Sequence, residues 1–126
     1  MYRIVIGCIL LMMSTFSSAH QFTPTYPVFE PSFVEGIVGT KLELFNKRKD
    51  VSYYEIGVYN AEWKPVSFAS EDKLFYIKYL ETKKINVYLK QQDLSTAVYI
   101  CSESRIRKED VIYTAISSKI CSKIKR

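Results

Sequence analysis

Hydrophobic and polar residues alternate along most of the chain with a period of two, the signature of strands that turn one face to a core. In Lys41-Leu42-Glu43-Leu44-Phe45-Asn46 the two leucines are separated by charge, and Asn46-Lys47-Arg48-Lys49-Asp50 supplies a turn. Val51 to Asn60 repeats the pattern, with Tyr54, Ile56 and Val58 on one face and Tyr53, Glu55 and Tyr59 on the other. A turn carrying Trp63 spans Asn60 to Pro65, and a further strand is expected from Lys73 to Leu80. Alternation is cleanest from Thr82 to Lys90, where Ile85, Val87 and Leu89 are spaced by Asn86, Tyr88 and Lys90. Strands over Thr96 to Ser102 and Val111 to Ile120 complete the set, the last with Ile112, Ile116 and Ile120 on one face. About seven short strands at intervals of roughly 8 to 12 residues, with no convincing helical stretch, predict an all-β fold. The expected architecture is an immunoglobulin-like antiparallel β-sandwich, with a barrel as the alternative.

Two segments precede this pattern. Residues 1–19 carry one cation, Arg3, then an apolar run from Ile4 to Met13, and end Ser17-Ser18-Ala19. This is the layout of a secretory signal peptide cleaved near Ala19, which places the product in a secreted or periplasmic compartment. The apolar run is shorter than the ~20 residues of a spanning helix, and a retained membrane anchor is the alternative. Residues 20–32 form an N-terminal arm in which Pro24, Pro27 and Pro31 alternate with Phe22, Tyr26 and Phe29, a spacing that favours extended backbone. Residues 33–126 are the expected sandwich with its basic C-terminal end.

Composition narrows the chemistry. A chain of 126 residues suits one domain, and 48% hydrophobic with 25% charged residues excludes a disordered or collagen-like chain. Ten Tyr, seven Phe and one Trp stand against a single His, so no His pair exists for catalysis or metal binding. His20 would head the processed chain, but chelating copper through its amine and ring also requires a second imidazole. Glu62, Glu71 and Asp72 lie in no pocket motif that would make an acid and base pair. No catalytic residue, cofactor or metal is expected, and the chain is read as a non-enzyme. Beyond the signal two cysteines remain, Cys101 and Cys121, and in an oxidising compartment such a pair is expected to bond to itself. The alternatives, two free thiols or half of a metal site, would call for a nearby His or further Cys.

The formal charge of +5 is unevenly spread. Residues 20–104 carry ten Lys and Arg against eleven Asp and Glu, net −1, whereas residues 105–126 carry seven against two, net +5. The excess sits in Arg105, Arg107, Lys108 and the tail from Lys119 to Arg126. A secreted chain rarely meets nucleic acid, so none is expected as a partner. The patch suits an acidic protein surface, a terminal carboxylate or an anionic membrane surface, with a solvated tail that aids solubility as the alternative.

Two resemblances accompany this reading. Ser95-Thr96-Ala97-Val98-Tyr99-Ile100-Cys101 resembles the strand of immunoglobulin variable domains that places a Tyr two positions before a Cys. That implies a corner role for Tyr99, although no upstream Cys remains for the usual bridge between sheets. Over most of residues 39–121 the chain is similar to the N-terminal domain of periplasmic pilus chaperones. Gly39 to Asn46, Val51 to Val58, Lys83 to Leu89 and Ile116-Ser117-Ser118-Lys119-Ile120 carry that similarity. It implies that Lys119 would hold a partner's terminal carboxylate while Ile112 and Ile116 complete the partner's open sheet by strand addition. It also implies a disulfide between the last two strands, here Cys101 with Cys121. The chain departs from the pattern in three places. Phe22 to Phe33 contains no basic residue where the family has an Arg, Asp110 and Thr114 interrupt the apolar face, and the second domain is missing.

The function expected is that of a protein-binding module, chaperone-like, acting through an exposed strand edge with Lys119, Ile112, Ile116, Arg105 and Arg107. A solvated Lys119 and core roles for Ile112 and Ile116 are the structural alternatives. The other function considered is a structural envelope or virion-associated component packing through its arm. The oligomeric state is open.

Overall fold

The computed structural model describes residues 20–106 and 117–126. Arg107, Ile112 and Ile116, the first part of the expected last strand, and the signal segment lie outside the described residues. Among the described residues, eight strands form two four-stranded sheets packed face to face, an immunoglobulin-like β-sandwich. In chain order they are β1 (Gln21–Thr23), β2 (Glu30–Pro31), β3 (Ile37–Phe45), β4 (Tyr53–Asn60), β5 (Leu74–Tyr76), β6 (Thr82–Lys90), β7 (Ala97–Arg105) and β8 (Lys119–Lys123). The one-turn helix α1 (Gln91–Leu94), which the period-two pattern did not signal, carries the chain from β6 in one sheet to β7 in the other. Its Gln91 N–H donates to Gly36 C=O.

In the first sheet β3 is central. It pairs antiparallel with β6 over its whole length, and β1 and β2 lie end to end along its other edge. The second sheet has the order β5-β4-β7-β8, all antiparallel. Between the sheets the alternating side chains interdigitate: Leu42, Leu44, Ile85, Val87 and Leu89 from one, Tyr54, Ile56, Val58, Phe75 and Ile100 from the other, all buried. Each such aliphatic side chain contributes roughly 1.5–3 kcal/mol on leaving water. The turn before β3 requires a left-handed residue, met by Gly36 at φ +79°, with Ile37 N–H donating to Val34 C=O.

The proline-rich arm does not stand apart from the sandwich. It pairs with β3 through Gln21–Thr23, crosses to the second sheet, where Thr25 and Pro27 carbonyls accept from Lys123 and Lys125 N–H, and returns to β3 through Glu30–Pro31. Ser122 Oγ adds a bond to Pro24 C=O at 2.8 Å.

Candidate partner-binding edge

The last strand owes its position to two sets of bonds. Ser104 N–H donates to Ser118 C=O and Ile124 N–H to Val98 C=O, so even-numbered residues of 118–124 turn their backbone toward β7. Odd-numbered ones then turn N–H and C=O away from the sheet. Lys123 and Lys125 donate their N–H groups to the arm. Lys119 and Cys121 are left with outward backbone groups that pair with nothing among the described residues, a short open edge at the start of β8.

Side chains alternate across the same strand. Ser122 and Ile124 point into the core, while Lys119, Cys121 and Lys123 share the outer face with Tyr99, Cys101, Glu103 and Arg105 of β7. Cys101 and Cys121 are register partners and form a disulfide, S–S 2.03 Å, across that outer face. Tyr59 lies flat over Gly57, where an added Cβ would come within 2.6 Å of its hydroxyl oxygen, and Gly57 is the register partner of Cys101. Cys101, on the same outer face, is only 2% exposed.

Lys119 rests on aromatic rings. Its Nζ is 4.7 Å from the Tyr59 ring centre and 5.4 Å from that of Trp63, within reach of a cation–π attraction. Trp63 in turn stacks on Tyr99, the residue two before Cys101, with centroids 4.2 Å apart and planes 2° from parallel. Arg105 is held by Glu55 and lies 3.7 Å from Glu103. Arg126 donates to the carbonyls of Ser95 and Ala97. Of the basic cluster read from sequence, Lys119 and Arg105 therefore share one face, Lys119 over rings and Arg105 neutralised by carboxylates. Glu71, one of the acidic residues considered for catalysis, binds the Asn86 side chain, which holds its carboxyl below the usual range.

Beneath the edge lies a polar network that the alternation pattern did not signal. His20 is buried, with Nδ1 3.0 Å from Ser118 Oγ and Nε2 2.8 Å from Ser102 Oγ, and its ring packs on Tyr54. Burial lowers its pKa from the ordinary 6.5 to about 4, and the Arg48 charge acts in the same direction. Tyr54 hydroxyl donates to Asn46 Oδ1 at 2.6 Å, while Asn46 Nδ2 donates to Val51 and Ile77 carbonyls. Three serines on inward positions of β7 and before β8 were the available hint, since buried hydroxyls need a partner.

No family model matches the chain, and no curated protein matches it. A solved structure does: the crystal structure of the periplasmic chaperone SfaE superposes with a TM-score of 0.55 at 15% identity, covering 85% of this chain and 56% of that one. The two share a fold. The chain thus spans little more than half the length of that chaperone, and the likeness expected over most of residues 39–121 is met at the level of the sandwich.

Proposed function

We propose that the protein is an extracytoplasmic, non-enzymatic binding module, chaperone-like, that takes a partner's strand onto the outward edge of β8. The observation that carries this reading is the division of that edge: the arm occupies Lys123 and Lys125, while Lys119 and Cys121 keep their outward N–H and C=O groups. A partner strand would draw affinity from those main-chain groups and selectivity from flanking side chains. Ile112 and Ile116 would supply the apolar flank and Lys119 with Arg107 the basic one, Arg105 being engaged by Glu55 and Glu103. The fold shared with a periplasmic chaperone and the Cys101–Cys121 disulfide support the compartment. An acidic protein surface or terminal carboxylate is the favoured partner chemistry, since Lys119 is the cation at the open end.

The test is capture of partners from an extracytoplasmic extract, followed by amide exchange on the complex. Strand addition slows exchange at Lys119 and Cys121, and Ile116→Asp abolishes both capture and protection. A partner that binds without slowing those amides, or binds the Ile116→Asp variant equally well, overturns the reading.

A further inference from the structure

The second sheet has another edge, and β5 forms it. Ile56 N–H donates to Lys73 C=O and Ile77 N–H to Ser52 C=O, so the backbones of residues 73, 75 and 77 face β4 while those of Leu74 and Tyr76 face away. Their outward N–H and C=O groups have no partner among the described residues. Phe75 and Ile77 are buried, whereas Leu74 and Tyr76 are 52% and 53% exposed on the outer face. Folded proteins usually blunt such an edge with proline, a bulge or a projecting charge. None of residues 72–78 is proline, and Lys73 folds back with its Nζ 4.8 Å over the Phe68 ring.

The residues that alternate onto the outer face of this segment follow an order that complements itself. Asp72, Leu74, Tyr76 and Lys78 read acidic, apolar, apolar, basic, and all are exposed. An antiparallel copy centred on Phe75 would set Leu74 opposite the partner's Tyr76 and Asp72 opposite the partner's Lys78, each twice by symmetry. Leu74 and Tyr76 would exchange four main-chain hydrogen bonds with the partner's Tyr76 and Leu74, apolar pairs would meet on one face, and opposite charges would close both ends. We propose that β5 pairs with β5 of a second copy, joining two second sheets into one continuous sheet across a two-fold axis. The self-complementary order selects a second copy over an unrelated strand, for which this palindromic charge pattern has no use. Because β5 and β8 are opposite edges of one sheet, the pairing leaves the edge of β8 open in both copies.

Sedimentation of the purified full chain over a concentration series tests this, with exchange of sign at the ends as the control. The wild-type chain forms a dimer. Asp72→Lys and Lys78→Asp each place two like-charge pairs in the interface and raise its Kd about tenfold or more. The double variant Asp72→Lys/Lys78→Asp restores it to within about threefold of wild type. All three are surface changes that leave the Tm of the fold in place, which a thermal melt verifies. A chain that remains monomeric up to about 1 mM, a dimer unmoved by either single change, or a double variant no tighter than the singles overturns the proposal.

Discussion

Trp63 lies flat against Tyr99, and it does so from a left-handed backbone position, φ 63°. The turn that holds it is braced by Asn60, whose Oδ1 accepts from Glu62 and Lys64 N–H, while Asn60 C=O accepts from Trp63 N–H. Glycine is the residue that adopts this conformation without penalty; a side chain there costs about 1–2 kcal/mol. The stack returns about 0.5–1.5 kcal/mol beyond the area it covers. Trp63→Ala keeps the strain and loses the stack, whereas Trp63→Gly loses both. Thermal melts should therefore rank wild type and Gly above Ala, with Ala about 1 kcal/mol below Gly. A Gly variant no more stable than Ala would refute the strain.

His20 gives the fold an acid-sensitive contact. Its folded pKa of about 4 lies below the ordinary 6.5, so the unfolded chain binds more protons between those values and stability falls as pH drops through that window. At its fullest the loss is about 3 kcal/mol. Below pH 4 this contribution has been lost and changes no further. The gap in denaturant midpoint between wild type and His20→Gln should be widest at pH 7 and narrow by pH 4, because the variant removes this titration and leaves the carboxylates alone. Parallel pH dependence in both proteins would contradict it.

Asn46 is the most exacting position in the interior. Its side chain makes four hydrogen bonds, two donated to Val51 and Ile77 carbonyls and two accepted from Arg48 N–H and the Tyr54 hydroxyl. Asn46→Ala removes all four bonds and is expected to destabilise by about 3 kcal/mol or more, against about 1 kcal/mol for Tyr54→Phe, which removes one. Equilibrium unfolding in urea measures both, and equal losses would mean that the network is not centred on Asn46.

Gly57→Ala tests whether Tyr59 shields the disulfide. The added Cβ meets only the far end of the Tyr59 side chain, so the ring can swing away at little cost in stability. Cys101, register partner of residue 57, then becomes accessible. Reduction by dithiothreitol should be faster in the variant than in wild type while the melt is nearly unchanged. Identical reduction rates would place the protection elsewhere.

Much of the sandwich was legible because burial on one side writes a period of two into the chain. Thr82 to Lys90 is a strand with the expected bounds, and Tyr54, Ile56 and Val58 are the buried face of β4. The strand expected from Lys73 to Leu80 shrinks to Leu74–Tyr76, since the chain turns at Tyr79 and Leu80, the latter at φ 61°. What the pattern could not convey was the use of polar residues. Asn46 reads as the start of a turn, yet its amide is inside, and nothing in the spacing of His20, Ser102 and Ser118 announces that they meet. Contacts between residues 82 and 98 positions apart leave no periodic trace. Lys119 was legible as a strand-end cation, but the rings beneath it come from the end of β4 and the turn after it, more than fifty residues away, and their approach depends on topology.

The disulfide on the outer face also changes what it means for this chain to be cut. Cys101 and Cys121 are separated by 20 positions, and every peptide bond between them lies inside a covalent ring. A protease that nicks that ring once releases no fragment: both new ends stay tethered, β7 on one side and β8 on the other. Such a molecule would run as intact until a reductant is added, and only then separate into two pieces. The bond thus insures the alignment of the last two strands against a break in the backbone that joins them.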